Sequence, residues 1–588
     1  LIPNLRTLAL PFLLVAGVLA QDGVAPQGGK PDTTAQQANP NHTILGGDGQ
    51  IFGGLIRAES NQPLGRAVVE LRHLESGQPG GLSWLDPFEE PSGESSAAAA
   101  RRNQRTADSG GSFAFFPLDP GRYELTVTRE GFVLKQPVIV SLFDKAYVEV
   151  TLPMVPAAAI QGRVLNPLGE PLAAATVEAY RVTYTPFGRR LVPARSTLSD
   201  DLGSYRLFSL APGAYVIAAS YGDAADKPLI PGNVLTPNLS PGDDGFASTF
   251  FPGHWNVADA ARIDLGAAAD VDGANIQFRE AAPVRIRGRV SSLTPPTSAR
   301  LTLVAPNGDP VPGVSRQVAA NAAGEFEIRG VSPGPYVLLA AASDGTKFSD
   351  VVPLEVSNRG VDDAFVQMSP SQSISGAILS AEPQKFDSIR VVLARVVRAN
   401  DAIRFFGMFT SRVDAKGNFS FSHLPAGNFA VFVGGLPAGI YVQDIRSGGQ
   451  DVLRRGLDLT GARPPLQVRL DRALGKVRGR VNAGGGLVSE GARIVLVPRV
   501  ENGFHSRRPD RYRVGSVSAN GEFEIDAAPP GEYDAFAFET LAPDAHFDPE
   551  LIARFPAWGV PVTVEAGRTS TGVEPNLIGA AQTAGWNH

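Results

Sequence analysis

Asn321–Ala340 reads NAAGEFEIRGVSPGPYVLLA, and the pattern in this stretch recurs five times along the 588 residues. Its first glycine is Gly324, and the matching positions elsewhere are Gly111, Gly203, Gly417 and Gly521. Ten residues on stands a second glycine: Gly121, Gly213, Gly334, Gly427 and Gly531. An aromatic follows two residues after each. Phe113, Tyr205, Phe326, Phe419 and Phe523 follow the first glycine; Tyr123, Tyr215, Tyr336, Phe429 and Tyr533 follow the second. Around the first glycine lie turn formers such as Asp108-Ser-Gly, Asp200-Asp-Leu and Asp414-Ala-Lys, which can bond their own backbone or take positive φ. After Gly324, Phe326 and Ile328 alternate with Glu325, Glu327 and Arg329, the period of two of a half-buried strand. A Pro-Gly or Ala-Gly turn comes next, then a second alternating strand from Tyr336. The local reading is an antiparallel pair of strands joined by a tight turn.

Each recurrence sits inside a longer unit. A first strand of apolar-x-Gly-x-apolar form opens it, as in Ile160-Gln-Gly-Arg-Val164, Ile286-Arg-Gly-Arg-Val290, Ile374-Ser-Gly-Ala-Ile378 and Val477-Arg-Gly-Arg-Val481. Glycine inside a strand marks a bulge or a close backbone approach. A turn such as Asn166–Pro171, a second strand such as Thr176–Tyr180 and a closing strand complete about seven strands per unit. The expected fold is all-β: five tandem antiparallel Greek-key β-sandwiches, strung like beads. Their expected bounds are 49–155 (with an insertion at 74–105), 156–282 (with a long loop at 222–262), 283–371, 372–472 and 473–580, before a tail at 581–588.

Composition agrees with that reading. The chain holds 64 glycines and 48 prolines, well above an average of roughly 12% for the two together, yet 43% of its residues are hydrophobic. Many short strands and many turns account for both. Net charge is −6 with no long basic run, which gives no footprint for nucleic acid. Residues 1–20, with Arg6 and the apolar run Leu8–Leu19 ahead of Val18-Leu-Ala20, read as a secretory signal peptide; polar 21–48 reads as a flexible leader. No later stretch could span a bilayer as a helix, so the expected mature chain has no integral membrane segment. The absence of cysteine leaves the cores alone to hold an exported protein, and removes thiol nucleophiles and cysteine metal sites.

The Gly-marked first strand, the D-x-x-G-x-[FY] turn and the L-x-P-G-x-Y element resemble the carboxypeptidase regulatory-like domain. That family belongs with transthyretin-like and Cna-B-type sandwiches, in a group described as carbohydrate-binding-like folds. Asp201–Tyr215, Asn321–Tyr336 and Asn520–Tyr533 carry the resemblance best; the fourth copy departs with Ala426 and Phe429, and the first with its insertion. The resemblance implies an accessory fold rather than a particular activity. Catalysis finds no support in the residues: none of the seven histidines has a glutamate three positions on, as a His-x-x-Glu zinc site requires. Asp108-Ser109-Gly110-Gly111 reads as the repeat's turn and not as a nucleophile. A Lys476–Asn576 isopeptide bond, known in Cna-B relatives, and calcium at Asp200/Asp201 or Asp243/Asp244 are the weaker readings.

The feature outside the repeat pattern is Phe250-Phe-Pro-Gly-His-Trp255, matched by Phe555-Pro-Ala-Trp558 in the last unit. Aromatic rings on loops can stack on sugars or on partner side chains, or can plug the end of a sandwich. Candidate ligand-binding residues are therefore Phe251, His254, Trp255, Phe555 and Trp558, with Trp84 in the insertion; Trp586 lies in a tail expected to fray. The functional expectation is a non-catalytic, exported binding or scaffold protein of the cell envelope, without cofactor or metal. It would bind polysaccharide through the aromatic loops. Its alternatives are a structural or adhesin-like rod contacting an envelope protein, and an accessory to an envelope enzyme or transporter.

Overall fold

The computed structural model describes residues 49–74, 104–118, 121–134, 138–142, 146–186, 188–221, 245–280, 284–292, 298–314, 318–380, 386, 389–399, 402–437, 439–484, 488–489, 491–499, 508–583 and 586. The signal, the leader, Trp84 and Asp243/Asp244 lie outside them. The fold is all-β, with two short α-helices, Val452–Arg455 and Pro549–Arg554, among the described residues. Two compact units divide the chain: one closes at Val155 and the other runs from Pro156 to His588.

Each repeat is organised by the turn at its first glycine. Gly111, Gly203, Gly324, Gly417 and Gly521 all take φ between +69° and +87°, where a side chain would be strained. Their amides donate to the carbonyls of Asp108, Asp200, Asn321, Asp414 and Ser518, three residues back. Side chains hold the same turn: Asp200 Oδ1 accepts from the amides of Leu202 and Ser204 at 2.9 and 2.7 Å, and Asn321 Oδ1 does so for Ala323 and Glu325. Bonds of this kind, first from the Asn418 amide, hold the Asp414 carboxyl below the usual carboxylate range.

The strand after the turn pairs with the Gly-marked first strand, and the aromatic falls directly opposite that glycine. Gly53 faces Phe113, Gly162 faces Tyr205, Gly288 faces Phe326, Gly376 faces Phe419 and Gly479 faces Phe523. A Cβ on Gly479 would overlap the carbonyl of Val573 and lie 2.6 Å from the Phe523 ring; on Gly288 it would meet Ala364 O and Phe326 in the same way. Close approach of ring and neighbouring backbone is therefore the reason for glycine here.

Two features of the pairing differ from the expected antiparallel pair. First, the strands on either side of the Pro-Gly turn do not pair with each other. In the first repeat Ser112–Leu118 lies in the sheet Ser112–Leu118, Gly49–Arg57, Tyr147–Pro156, Phe132–Leu134. Gly121–Thr128 lies in the other sheet, between Val68–Leu74 and Val138–Leu142. The turn is thus a corner between sheets. Gly213, Gly334, Gly427 and Gly531, at φ from +132° to +154°, carry the chain across it. The tyrosine hydroxyl pins the corner: Tyr215 donates to Ala211 O, Tyr336 to Ser332 O and Tyr533 to Pro529 O, at 2.7–2.8 Å. Second, a later strand runs parallel to the first strand in every repeat, as Tyr147–Pro156 does along Gly49–Arg57.

The two aromatics consequently meet inside one core, one from each side. Phe113 and Tyr123, Tyr205 and Tyr215, Phe326 and Tyr336, Phe419 and Phe429, and Phe523 and Tyr533 each share a hydrophobic cluster. In the third repeat, Lys347–Ser349 pairs with both Gly334–Ala342 and Val361–Pro370, joining the two halves into one eight-stranded sheet.

Within Pro156–His588 the repeats are not separate beads. The second packs on the third, where Leu191 donates its amide to Asp309 Oδ1 at 3.1 Å and Ser332 Oγ bonds Ser248 O. Between the third and fourth, Val304, Val337, Leu339 and Phe406 form a small buried cluster. Arg508 of the fifth donates to Val442 O of the fourth at 2.9 Å. The fifth packs back on the second through a further core, so the four junctions form a closed circuit.

Candidate functional site

The aromatic loops meet at the junction that closes this circuit. In the second repeat, Phe246–Phe250 runs beside Gly213–Tyr221, and the chain then turns so that His254 and Phe250 exchange backbone hydrogen bonds at 2.9 and 2.6 Å. Phe250 and Phe251 consequently face different ways. Phe251 packs on the core of its own repeat, whereas Phe250, 5% exposed, enters the cluster shared with the fifth repeat. Trp255 is half-buried with the Arg279 guanidinium 5.7 Å from its ring, and Asn256 caps the short 3-10 helix Val257–Asp259.

The fifth repeat presents a helix. Asp548 caps Pro549–Arg554, accepting from the Glu550 amide at 3.0 Å, and its second oxygen accepts from Trp586 Nε1 at 2.8 Å. Phe555, also 5% exposed, ends the helix and meets Phe538 and Trp558 edge-on. Tyr180, Val182, Leu191 and Val216 supply the facing wall. At the rim, Arg189 lies 3.9 Å from Glu550. Trp586 is part of this packing, with Arg554 over its ring, and the expected fraying does not hold for it. His546 lies alongside, 8% exposed against Tyr512 and Phe547; burial pushes its imidazole down to about 4.

Buried arginines lock the other junctions. Arg190 of the second repeat donates to Asn307 O of the third. Arg395 of the fourth donates to Ser349 O of the third at 3.0 Å and to its own repeat's Ala426 O at 3.0 Å. Burial pulls the Arg395 guanidinium down to about 10, with Asp350 opposing. Around Arg508, burial acts against the charge, but Asp510 pairs with it and leaves the group above its ordinary value. Asp309, beside Arg190, is buried deeply enough for its carboxyl to be pushed up despite that neighbour. The sequence reading passed over these residues. Arg395 had a signal: it is the only charge in Val391-Val-Leu-Ala-Arg-Val-Val397.

The remaining candidates resolve individually. Lys476 is exposed and paired with Asp526 at 2.8 Å, while Asn576 bonds Asn482, six residues further along the extended chain or roughly 20 Å away. No isopeptide bond can span that distance. Asp108 and Asp200 spend a carboxylate oxygen on their turn amides. Among the described residues, no group of three or more His, Cys, Asp or Glu is placed to hold a metal ion, and no helix is long and apolar enough to cross a membrane.

A corner-and-glycine unit repeated through the chain defines a class of tandem β-sandwich modules. Residues 159–227, within the second repeat, match the model of the carboxypeptidase regulatory-like domain. No curated protein matches the chain. Among solved structures, the Bacillus anthracis TIE protein is similar at 12% identity over 54% of this chain and 51% of that one, with a TM-score of 0.14; the chain spans about half its length. A minor pilin of Streptococcus agalactiae is similar at 14% identity over 39% of this chain and 95% of its own, with a TM-score of 0.20. The major pilin subunit of Bacillus cereus is similar at 14% identity over 50% and 99%, with a TM-score of 0.14.

Proposed function

We propose that this chain is an exported, non-catalytic scaffold of the cell envelope, built from five β-sandwich domains with bounds 49–155, 156–282, 283–371, 372–472 and 473–580. In this reading the last four act as one stiff block. The observation that carries it is the core shared by the second and fifth repeats, into which both aromatic loops send a phenylalanine. Phe251, His254, Trp255, Phe555 and Trp558 then serve to shape and seal a junction, and polysaccharide binding through them is the rival reading. Buried arginines at the other junctions support stiffness, because removing a buried polar partner costs more than the bond itself is worth.

Calorimetry and small-angle scattering on the full chain test this. Expected are one cooperative transition for the second to fifth repeats and a scattering curve that fits a single rigid body for them. A Phe555→Asp variant should split that transition. Independent melting of the repeats in the wild type would refute the block. Loss of polysaccharide binding in a Trp255→Ala, Trp558→Ala variant with unchanged melting would favour the rival.

A further inference from the structure

The outer face of the first sheet differs in character from one repeat to another. In the position just before the first-strand glycine, the second to fifth repeats have Gln161, Arg287, Ser375 and Arg478. Three of these faces are laced with ion pairs: Arg206 with Asp270, Arg287 with Glu327, and Arg478 with Glu524, at 2.9, 3.5 and 2.6 Å. Charge thus marks these outward faces, two of which also carry one exposed phenylalanine, Phe208 in the second repeat and Phe365 in the third. The first repeat has Phe52 there.

Two further aromatics share the face. Along Tyr147–Pro156, Val148, Val150, Leu152 and Met154 are buried and Tyr147, Glu149 and Thr151 point outward. Tyr147 is 72% exposed and pairs with Gln50 in the parallel register. On the other side of the first strand, Phe116 is 61% exposed and lies at a bulge opposite Gln50. The row across three strands is therefore Phe116, Gln50, Tyr147. Its outer rings stand two strand spacings apart, about 10 Å, and Phe52 lies about 7 Å further along the middle strand. Neighbours on the same face include the small Gly54, Ala114 and Thr151, with Glu149 opposite Phe52.

We propose that this face is a binding platform for a polysaccharide chain. A pyranose ring has two faces of C–H bonds and a rim of hydroxyls. Spaced, flat aromatic rings match the first, and the Gln50 amide and Glu149 carboxylate between them match the second. The core of a protein interface is more contiguous and loses its charged groups, whereas here aromatic and hydrogen-bonding side chains alternate. This site is separate from the aromatic loops and independent of the block reading.

The test is co-sedimentation of the full chain with insoluble cellulose, chitin and purified peptidoglycan, comparing wild type with a Phe116→Ser, Tyr147→Ser variant. Both substitutions are at exposed positions; unchanged thermal melting establishes that the fold is kept, and Phe208→Ser, an exposed phenylalanine of the second repeat, is the control. Wild type should sediment with at least one of the three. The double variant should show a Kd at least tenfold weaker on that probe, and the control none of this loss. Wild type that stays in solution with all three, or a double variant that binds as wild type does, overturns the proposal. So does a wild-type dimer in sedimentation velocity that the double variant converts to monomer, because the face would then be occupied by a second copy.

Discussion

Acidification should weaken the fifth repeat through His546. Its imidazole is buried against Tyr512 and Phe547, and desolvation lowers its pKa to about 4, against about 6.5 in an unfolded chain. A pKa depressed by folding means that the unfolded state binds the proton more readily. Stability is therefore intact above the unfolded value and is lost as pH falls from about 6.5 towards 4. At about 1.4 kcal/mol per unit, the loss attributable to this group reaches about 3 kcal/mol by pH 4. Other groups titrate in the same window. Asp544, whose carboxyl burial pushes up, works in the opposite sense, favouring the fold as it takes a proton. The assay is accordingly a difference: urea unfolding of wild type and His546→Phe between pH 7.5 and pH 4.5. The variant keeps an aromatic ring and removes the proton site, so it should lose about 2 kcal/mol less than wild type over that range. Parallel pH profiles for the two proteins would refute the argument, since carboxylate titration is common to both.

Further outcomes follow from the packing. Gly479→Ala forces a Cβ into the Val573 carbonyl and the Phe523 ring, and should cost about 1–3 kcal/mol in urea unfolding of the block that holds the fifth repeat. Arg508→Ala leaves Asp510 buried without its partner and should cost about 3–5 kcal/mol, measured in the same way. Tyr533→Phe removes the hydroxyl that pins the corner at Pro529 O and should cost about 1 kcal/mol. Phe429 already lacks that hydroxyl, so the fourth repeat offers an internal reference: the equivalent carbonyl there is Pro425 O, and Arg395 bonds the next one, Ala426 O.

Much of the fold was legible because it rests on local chemistry. A positive-φ glycine three residues after an Asx or Ser turn former, and an aromatic opposite the first-strand glycine, are short-range requirements that recur in register. Strand pairing was less legible. The stretch from Phe326 to Tyr336 looks like a hairpin in sequence, yet its two strands pair with distant strands and its turn is a corner. Junctions were the least legible. Phe250 and Phe251 are adjacent and chemically identical, yet one serves its own core and the other a neighbour's; their alternation says that they face opposite ways without saying what lies on either side. Trp586 looked like tail because its partner, Asp548, stands 38 residues earlier. Arg395 could have been found as a lone charge in an apolar strand, whereas Arg190 and Arg508 stand among other charges and prolines with nothing to mark them.

Four repeats in a line need only three contacts to stay together. The fourth contact, between the second and fifth repeats, changes the path that force takes. A pull applied across residues 156–580 would be shared between the direct contact of the second and fifth repeats and the route through the third and fourth. Once the shared aromatic core had been torn open, the whole load would fall on that longer route. Any one contact that opens leaves its two halves tethered through the other three, so it recloses as an intramolecular event.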